Sequence, residues 1–275
     1  MRITSIVENT SHTGLSVEHG LSLYIERKDG QVILFDMGQT SLFAQNAEQL
    51  GLSIPAVDTA IISHGHYDHG GGLRTFLSLN DKARIYLHHE AFLPHFSLRQ
   101  TGLRYIGLDR SLLPNERFIL CSGQTDIDSH MQLFANVTGN CCLPGGNRML
   151  YGPTEDTPDL FSHEQNLLIR EDNHLILFAG CAHCGIINIL RHVVSLTGQS
   201  PSLVFAGMHL AKSGLDKAAE KQFINSLAHE LQQYPDTRFY TMHCTGTDEY
   251  NQLKQIMGDQ IEYFACGSSI LISNS

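Results

Sequence analysis

The chain of 275 residues sets 18 Lys+Arg against 28 Asp+Glu, a net charge of -10, with 42% hydrophobic and 17% charged residues. This balance excludes a disordered chain and argues against a bulk binder of nucleic acid or of an anionic membrane, so a small molecule is the expected partner. Sixteen histidines point to metal or proton chemistry, and seven cysteines, an odd number, fit a reducing compartment better than a secreted disulfide framework. No stretch approaches the length of a membrane span, and the first residues lack the apolar core of a signal peptide, so the expected location is the cytoplasm.

In chain order, apolar runs of strand length occupy residues 3–7, 21–25, 32–35, 59–62 and 84–87, with a short helical pattern at 71–79. Periodicity then fades over 91–159, where turn formers accumulate (Leu143-Pro144-Gly145-Gly146-Asn147, Gly152-Pro153, Thr157-Pro158). Such an excursion is either a solvated loop or a cover over a substrate, with Arg99, Arg104, Arg110, Arg117 and Arg148 as candidate anion-binding groups. Strand patterns resume at 167–169, 175–179, 203–206 and 239–242, separated by helical patterns at 185–196 and 216–233 and followed by one at 248–257. In the second helix Phe223, Ile224, Leu227, Ala228 and Leu231 share one face. The expectation is an α/β (α+β) fold in a single domain over 1–275, with an irregular insertion at 91–159.

The decisive segment is Ser63-His64-Gly65-His66-Tyr67-Asp68-His69-Gly70-Gly71-Gly72. A strand runs out at Ser63, and the loop that follows offers three imidazoles and one carboxylate, all good ligands for a borderline divalent metal. Chance composition would place H-x-H-x-D-H in such a chain only about 0.005 times. The following glycines are expected to turn the backbone sharply and to start a helix near Gly71 whose free N–H groups face the same loop. Three later strands also end in loops that carry histidine: Gly180-Cys181-Ala182-His183-Cys184-Gly185, Gly207-Met208-His209-Leu210 and Met242-His243-Cys244-Thr245-Gly246. In α/β sheets such strand ends are where ligands bind.

His64, His66, Asp68 and His69, with Leu34-Phe35-Asp36-Met37-Gly38 before them, resemble the signature of the metallo-β-lactamase fold superfamily. The segments SHGHYDHGGGL, GCAHCGIINIL, GMHL and HCTG resemble more narrowly its branch of dihydropterin ribofuranosylaminobenzene phosphate synthase-like metal-dependent hydrolases. The resemblance implies a four-layer αββα sandwich with two divalent ions in a cleft at its edge. Zinc is the default metal, and iron or manganese suit the same ligands. It implies a hydrolase using a metal-activated water on a small, anionic, phosphate- or pterin-bearing substrate. His64 and His66 would hold metal 1, and Asp68, His69 and His243 metal 2. Cys181 stands where the superfamily usually has a bridging aspartate, so that either its thiolate ligates or His183 takes over. His163 and His183 compete for the third place on metal 1, with His183 favoured.

Asp68 and His209 are the candidate catalytic residues, His209 as a general acid, with a ligand or a structural histidine as its other readings. Asp36 is expected to support a ligand histidine through its ring N–H. His88 and His89 are expected at the surface, and Cys121, Cys244 and Cys266 as core fillers; Cys141 and Cys142, being adjacent, are not expected to bond each other. Cys181-x-x-Cys184 has redox spacing without the surrounding βαβ pattern. Two other classes remain open: a di-iron redox protein, disfavoured by His66 where a glutamate is common and by the lack of room for a flavin module, and a non-catalytic metal or ligand sensor.

Overall fold

The computed structural model describes residues 1–211 and 213–273. Two seven-stranded sheets carry the fold. The first contains β1 (Arg2–Val7), β2 (Ser22–Glu26), β3 (Val32–Phe35), β4 (Thr59–Ile61) and β5 (Arg84–His88). Between β5 and the next member of that sheet lies a hairpin, β6 (Phe96–Arg99) and β7 (Gly102–Tyr105). The chain then adds β8 (Phe118–Cys121) to the first sheet and crosses to the second through β9 (Thr125–Asp126) and β10 (Met131–Ala135). After the short β11 (Leu150–Tyr151), the second sheet continues with β12 (Gln165–Glu171), β13 (His174–Ala179), β14 (Leu203–Ala206), β15 (Arg238–Thr241) and β16 (Ile261–Tyr263), and β17 (Ser269–Leu271) returns to β1.

The central strands of the two sheets are buried on both faces, which is why they read as continuous apolar runs. In β13, Ile176 and Phe178 face the first sheet and pack with Phe35 and Ile61, while Leu175, Leu177 and Ala179 face the other way. The outer face of the first sheet is covered by α1 (Leu42–Gln49) and α3 (Leu73–Leu79), through Phe43, Ala47, Leu73 and Phe76. The outer face of the second is covered by α4 (Ile186–Thr197), α5 (Lys217–Leu231) and α6 (Thr247–Met257), through Ile187, Leu190, Leu227 and Leu253. The result is the expected four-layer αββα sandwich. The Asp216 side chain caps α5 by accepting from Ala218 N and Ala219 N, and left-handed Gly198 ends α4.

The expected irregular stretch over 91–159 is corrected by β8, β9 and β10, which are members of the two main sheets. Their few apolar residues gain burial only by lying against strands far away in sequence, a signal that local periodicity lacks. Outside the two sheets remain two excursions, which meet where β11 pairs with β6 to form a small sheet with β7. Among the described residues no helix is long and apolar enough to cross a membrane.

Candidate metal centre

The parallel strands β3, β4 and β5 of one sheet and β13, β14 and β15 of the other end at the same edge of the sandwich, where their loops meet. The approach is close: a Cβ on Gly180, after β13, would lie 2.2 Å from Ser63 Oγ, after β4. Four non-glycine residues in these loops, Asp36, Ala182, His209 and His243, take left-handed backbone conformations. Such conformations persist only where surrounding contacts hold them, as they commonly do at functional sites.

The glycines after the histidine loop serve differently from the expectation. The helix α2 (Tyr67–Gly70) begins within the motif, and Gly71 N already donates to Tyr67 O at 2.7 Å, so it offers no free donor. None of Gly70, Gly71 and Gly72 has a positive φ; a Cβ on Gly71 would meet Gln39 O at 2.3 Å and one on Gly72 would meet Met37 O at 2.4 Å. Their smallness lets α2 pack against the turn after β3, where Met37 N donates to His69 O at 2.7 Å.

That packing places Asp36, fully buried, beneath the loop. Its Oδ1 accepts from Ser63 N (2.7 Å), and its Oδ2 accepts from Ser63 Oγ (2.7 Å) and from His69 Nδ1 (2.7 Å). Because the Ser63 hydroxyl is spent on Asp36, its oxygen receives the His64 Nδ1 proton at 2.9 Å. Asn147 Nδ2 donates to His183 O, which fixes its Oδ1 as the acceptor of His183 Nδ1–H at 2.9 Å. Asn9 is fixed in the same way: its Oδ1 accepts from Gly20 N and therefore also from His243 Nδ1, at 2.8 Å. In His64, His69, His183 and His243 the outer nitrogen thus donates, and Nε2 is left to point inward.

The inward atoms stand at the separations of ligands around one ion. His64 Nε2 is 3.0 Å from His66 Nδ1, His69 Nε2 is 3.2 Å from Cys181 Sγ, and His243 Nε2 is 3.4 Å from Asp68 Oδ2. The ligand atoms of His64, His66 and His183 form one group able to hold a metal, and those of His64, His69 and Cys181 another. Of these inward atoms, Nε2 of His243 is buried without a hydrogen-bond partner, as is Nε2 of His183. Orphaned imidazole nitrogens are costly in a protein interior unless a cation takes them, so the donor set fits metal binding.

Burial pushes His64 and His183 well below the usual histidine range and His243 down to about 4, so these imidazoles are neutral and ready to ligate. Burial opposes charge on His69 too, but Asp36 and Asp68 override it and hold that group up at about 9, so a cation taken at Nε2 displaces a proton there. Despite its own burial, Asp68 lies well below the ordinary carboxylate range because His19 and His243 stand against it. Burial, reinforced by neighbouring Cys244, raises the Cys181 thiol, which gives up its proton only to a metal.

His163 occupies a different place. Its Nδ1 accepts from Gly65 N at 2.9 Å, so in a neutral ring its proton sits on Nε2 and points at Asp159 Oδ2, 3.2 Å away. With both nitrogens engaged, His163 supports the loop, whereas His183 keeps Nε2 without a partner. The same Asp159 oxygen is 2.9 Å from His95 Nδ1 and 4.0 Å from His66 Nε2. These imidazoles hold Asp159 far below the usual carboxylate range despite its burial. Glu164, raised by burial, receives His183 N at 2.6 Å and Cys184 N at 2.9 Å and so fixes the loop after β13.

The His209 ring lies 4.3 Å from that of His183, with a buried and unpartnered Nδ1, and burial pushes it down to about 3. His88, expected at the surface, is buried at the end of β5; His89 beside it is half-exposed. All seven cysteines are free, and Cys184 turns toward Phe161 O rather than toward Cys181.

A cavity of about 720 Å³ opens beside His183, walled mostly by apolar side chains such as Leu143, Pro144, Leu160, Phe161 and Phe223. Of the five arginines only Arg148 lines it. Arg117 is tied to Ala83 O at 2.9 Å and to Asn80, and Arg104 lies over the Tyr67 ring.

The sequence profile of the metallo-beta-lactamase superfamily matches residues 15–185. The chain belongs to this superfamily. The crystal structure of Tm1679, a metal-dependent hydrolase of the beta-lactamase superfamily, is 30% identical, aligns over 100% of both chains and has a TM-score of 0.81. An uncharacterized protein of Methanocaldococcus jannaschii is 27% identical over 274 residues, 92% of this chain and 94% of that one. From the same organism, 7,8-dihydropterin-6-methyl-4-(beta-D-ribofuranosyl)-aminobenzene-5'-phosphate synthase is 25% identical over 280 residues, 92% of this chain and 90% of that one. Within this superfamily fold, sequence reasoning missed Asn9, His19, His95, Asn147, Asp159 and Glu164. Each lies outside any motif at metal-ligand spacing, and only Asn147, in the Pro-Gly-Gly-Asn turn, carries a local signal.

Proposed function

We propose that this metallo-beta-lactamase superfamily chain is a dinuclear, metal-dependent hydrolase of a small anionic substrate. His64, His66 and His183 would hold one ion and Asp68, His69 and His243 the other, with the Cys181 thiolate completing the second site. Zinc suits the imidazole-rich set. The observation that carries the reading is the set of four imidazoles, His64, His69, His183 and His243, each turned by a bond on its outer nitrogen so that Nε2 faces the centre. When bound, divalent ions there acidify a water and polarise a carbonyl or phosphoryl oxygen.

Asp68, on the ligand loop and held ionised against its burial by His19 and His243, orients that water by accepting a hydrogen bond from it. His209, neutral by burial, first has to take up a proton, for which negative charge developing on a departing group beside it is the favourable condition, and it then returns that proton to the departing group. The apolar cavity takes a flat organic body, Arg148 takes a phosphate at its rim, and the excursions around residues 91–117 and 136–164 cover the cleft. The name of the pterin-phosphate synthase relative supports a substrate of that chemistry.

Elemental analysis of protein prepared without chelators tests the reading. Two equivalents of metal per chain are expected, and a ceiling of one under saturating zinc would remove the dinuclear mechanism.

A further inference from the structure

The loop between β1 and β2 lies beside the centre without belonging to any ligand motif, yet it is closely fastened there. The Glu8 carboxylate accepts Thr10 N at 2.6 Å and Thr10 Oγ1 at 2.8 Å with one oxygen, and His243 N at 2.6 Å and the Tyr263 hydroxyl at 2.7 Å with the other. Cys266 N donates to Thr10 O at 2.9 Å. At the far end of the loop, Leu21 N donates to Asp68 O at 3.2 Å, and a Cβ on Gly20 would lie 2.7 Å from that same carbonyl. The loop is therefore pinned to both the β15 turn and the histidine loop, and His19 is carried in just before the second pin.

His19 Nε2 lies 3.1 Å from Asp68 Oδ2, the oxygen that also faces His243 Nε2. The His19 ring packs at 4.7 Å on that of His243, while its side chain is 52% exposed. The Asn9 amide, oriented by Gly20 N, presents its NH2 group to His19 Nδ1 at 3.4 Å. An NH2 group can only donate, so Nδ1 accepts and the proton of a neutral His19 sits on Nε2, toward Asp68. One amide thus sets opposite tautomers in two neighbouring rings, His243 with its lone pair toward Asp68 and His19 with its N–H toward Asp68.

We propose that His19 is a positioning residue of the metal centre: it donates Nε2–H to the Asp68 carboxylate from the solvent side and fixes the oxygen that faces the second ion. The proposal rests on the dinuclear reading above. Asp68 sits on a four-residue helix, and among the described residues no side-chain donor other than His19 is seen to orient it once His243 has turned its lone pair inward. Partners that orient a ligating group typically change metal affinity 10- to 100-fold when removed.

The test is cobalt(II) titration of the full-length apoprotein, read by visible absorption and by chelator competition, for the wild type, His19→Ala and His19→Gln. Expected is a loss of about 10-fold or more in the affinity of the second cobalt in His19→Ala, with the first unchanged. His19→Gln, whose amide can donate from nearly the same place, should restore most of it. Equal second-cobalt affinity in wild type and His19→Ala overturns the proposal, and so does an equal loss at both sites. If Gln fails to restore binding and the absorption bands show a missing ligand, His19 coordinates directly and the positioning role is wrong. A wild type that takes up only one cobalt instead overturns the dinuclear reading, which keeps the two failures apart.

Discussion

The buried carboxylates of Asp36 and Asp159 both gather histidines, and they do so on different foundations. Asp36 stands at the end of β3 inside the first sheet and binds Ser63 and His69, which follow β4, the neighbouring parallel strand. Asp159 belongs to an excursion and gathers His95 from the other excursion, His163 from the approach to β12 and, at longer range, His66. The half of the centre that contains Asp68 and His69 is thus set by the scaffold, whereas the half that contains His66 and His183 is also set by the cleft cover. On the proposed dinuclear reading, metal binding and substrate enclosure are coupled on the second side and separate on the first.

The sharpest break is expected at Asp36. Asp36→Asn replaces one of its acceptor oxygens by a donor that faces Ser63 or His69, in a fully buried place. A loss of roughly 3 kcal/mol or more in folding stability is expected, together with loss of the second metal. Urea unfolding and metal analysis would measure both, and a variant of wild-type stability would deny Asp36 its place in the scaffold.

Asp159→Asn should act on the other half. Metal 1 should weaken by about 10- to 100-fold through His66, while metal 2 and overall stability change less. Chelator competition with zinc resolves the two sites; equal weakening of both would erase the distinction drawn between the halves.

The smallest expected effect concerns Arg148 and Arg117 in the excursions. Arg148→Ala should raise KM about 10-fold for a phosphorylated substrate and little for its neutral ester, since one charge-assisted contact is lost. Arg117→Ala should leave KM unchanged and lower the thermal midpoint, because its guanidinium ties Ala83 and Asn80 inside the protein. The reverse assignment would place the anion site elsewhere.

The sequence by itself determined the ligand loop, because His64, His66, Asp68 and His69 lie within six residues and their chemistry needs no distant partner to be recognised. It also determined the central strands and the αββα layering implied by the resemblance, since strands buried on both faces show as unbroken apolar runs. The structure decided what depends on contacts between remote segments. It engages both nitrogens of His163, through Gly65 and Asp159, and leaves His183 Nε2 free by holding the other nitrogen at Asn147, and it brings Asp159, His95 and His19 to the site from loops without periodicity. It also draws β8 and β10 out of a stretch that reads as irregular. Spacing along the chain reports side chains that act together when the backbone between them is short. Which nitrogen of a histidine carries its proton is fixed by whatever the fold places behind the ring, and no local pattern records that.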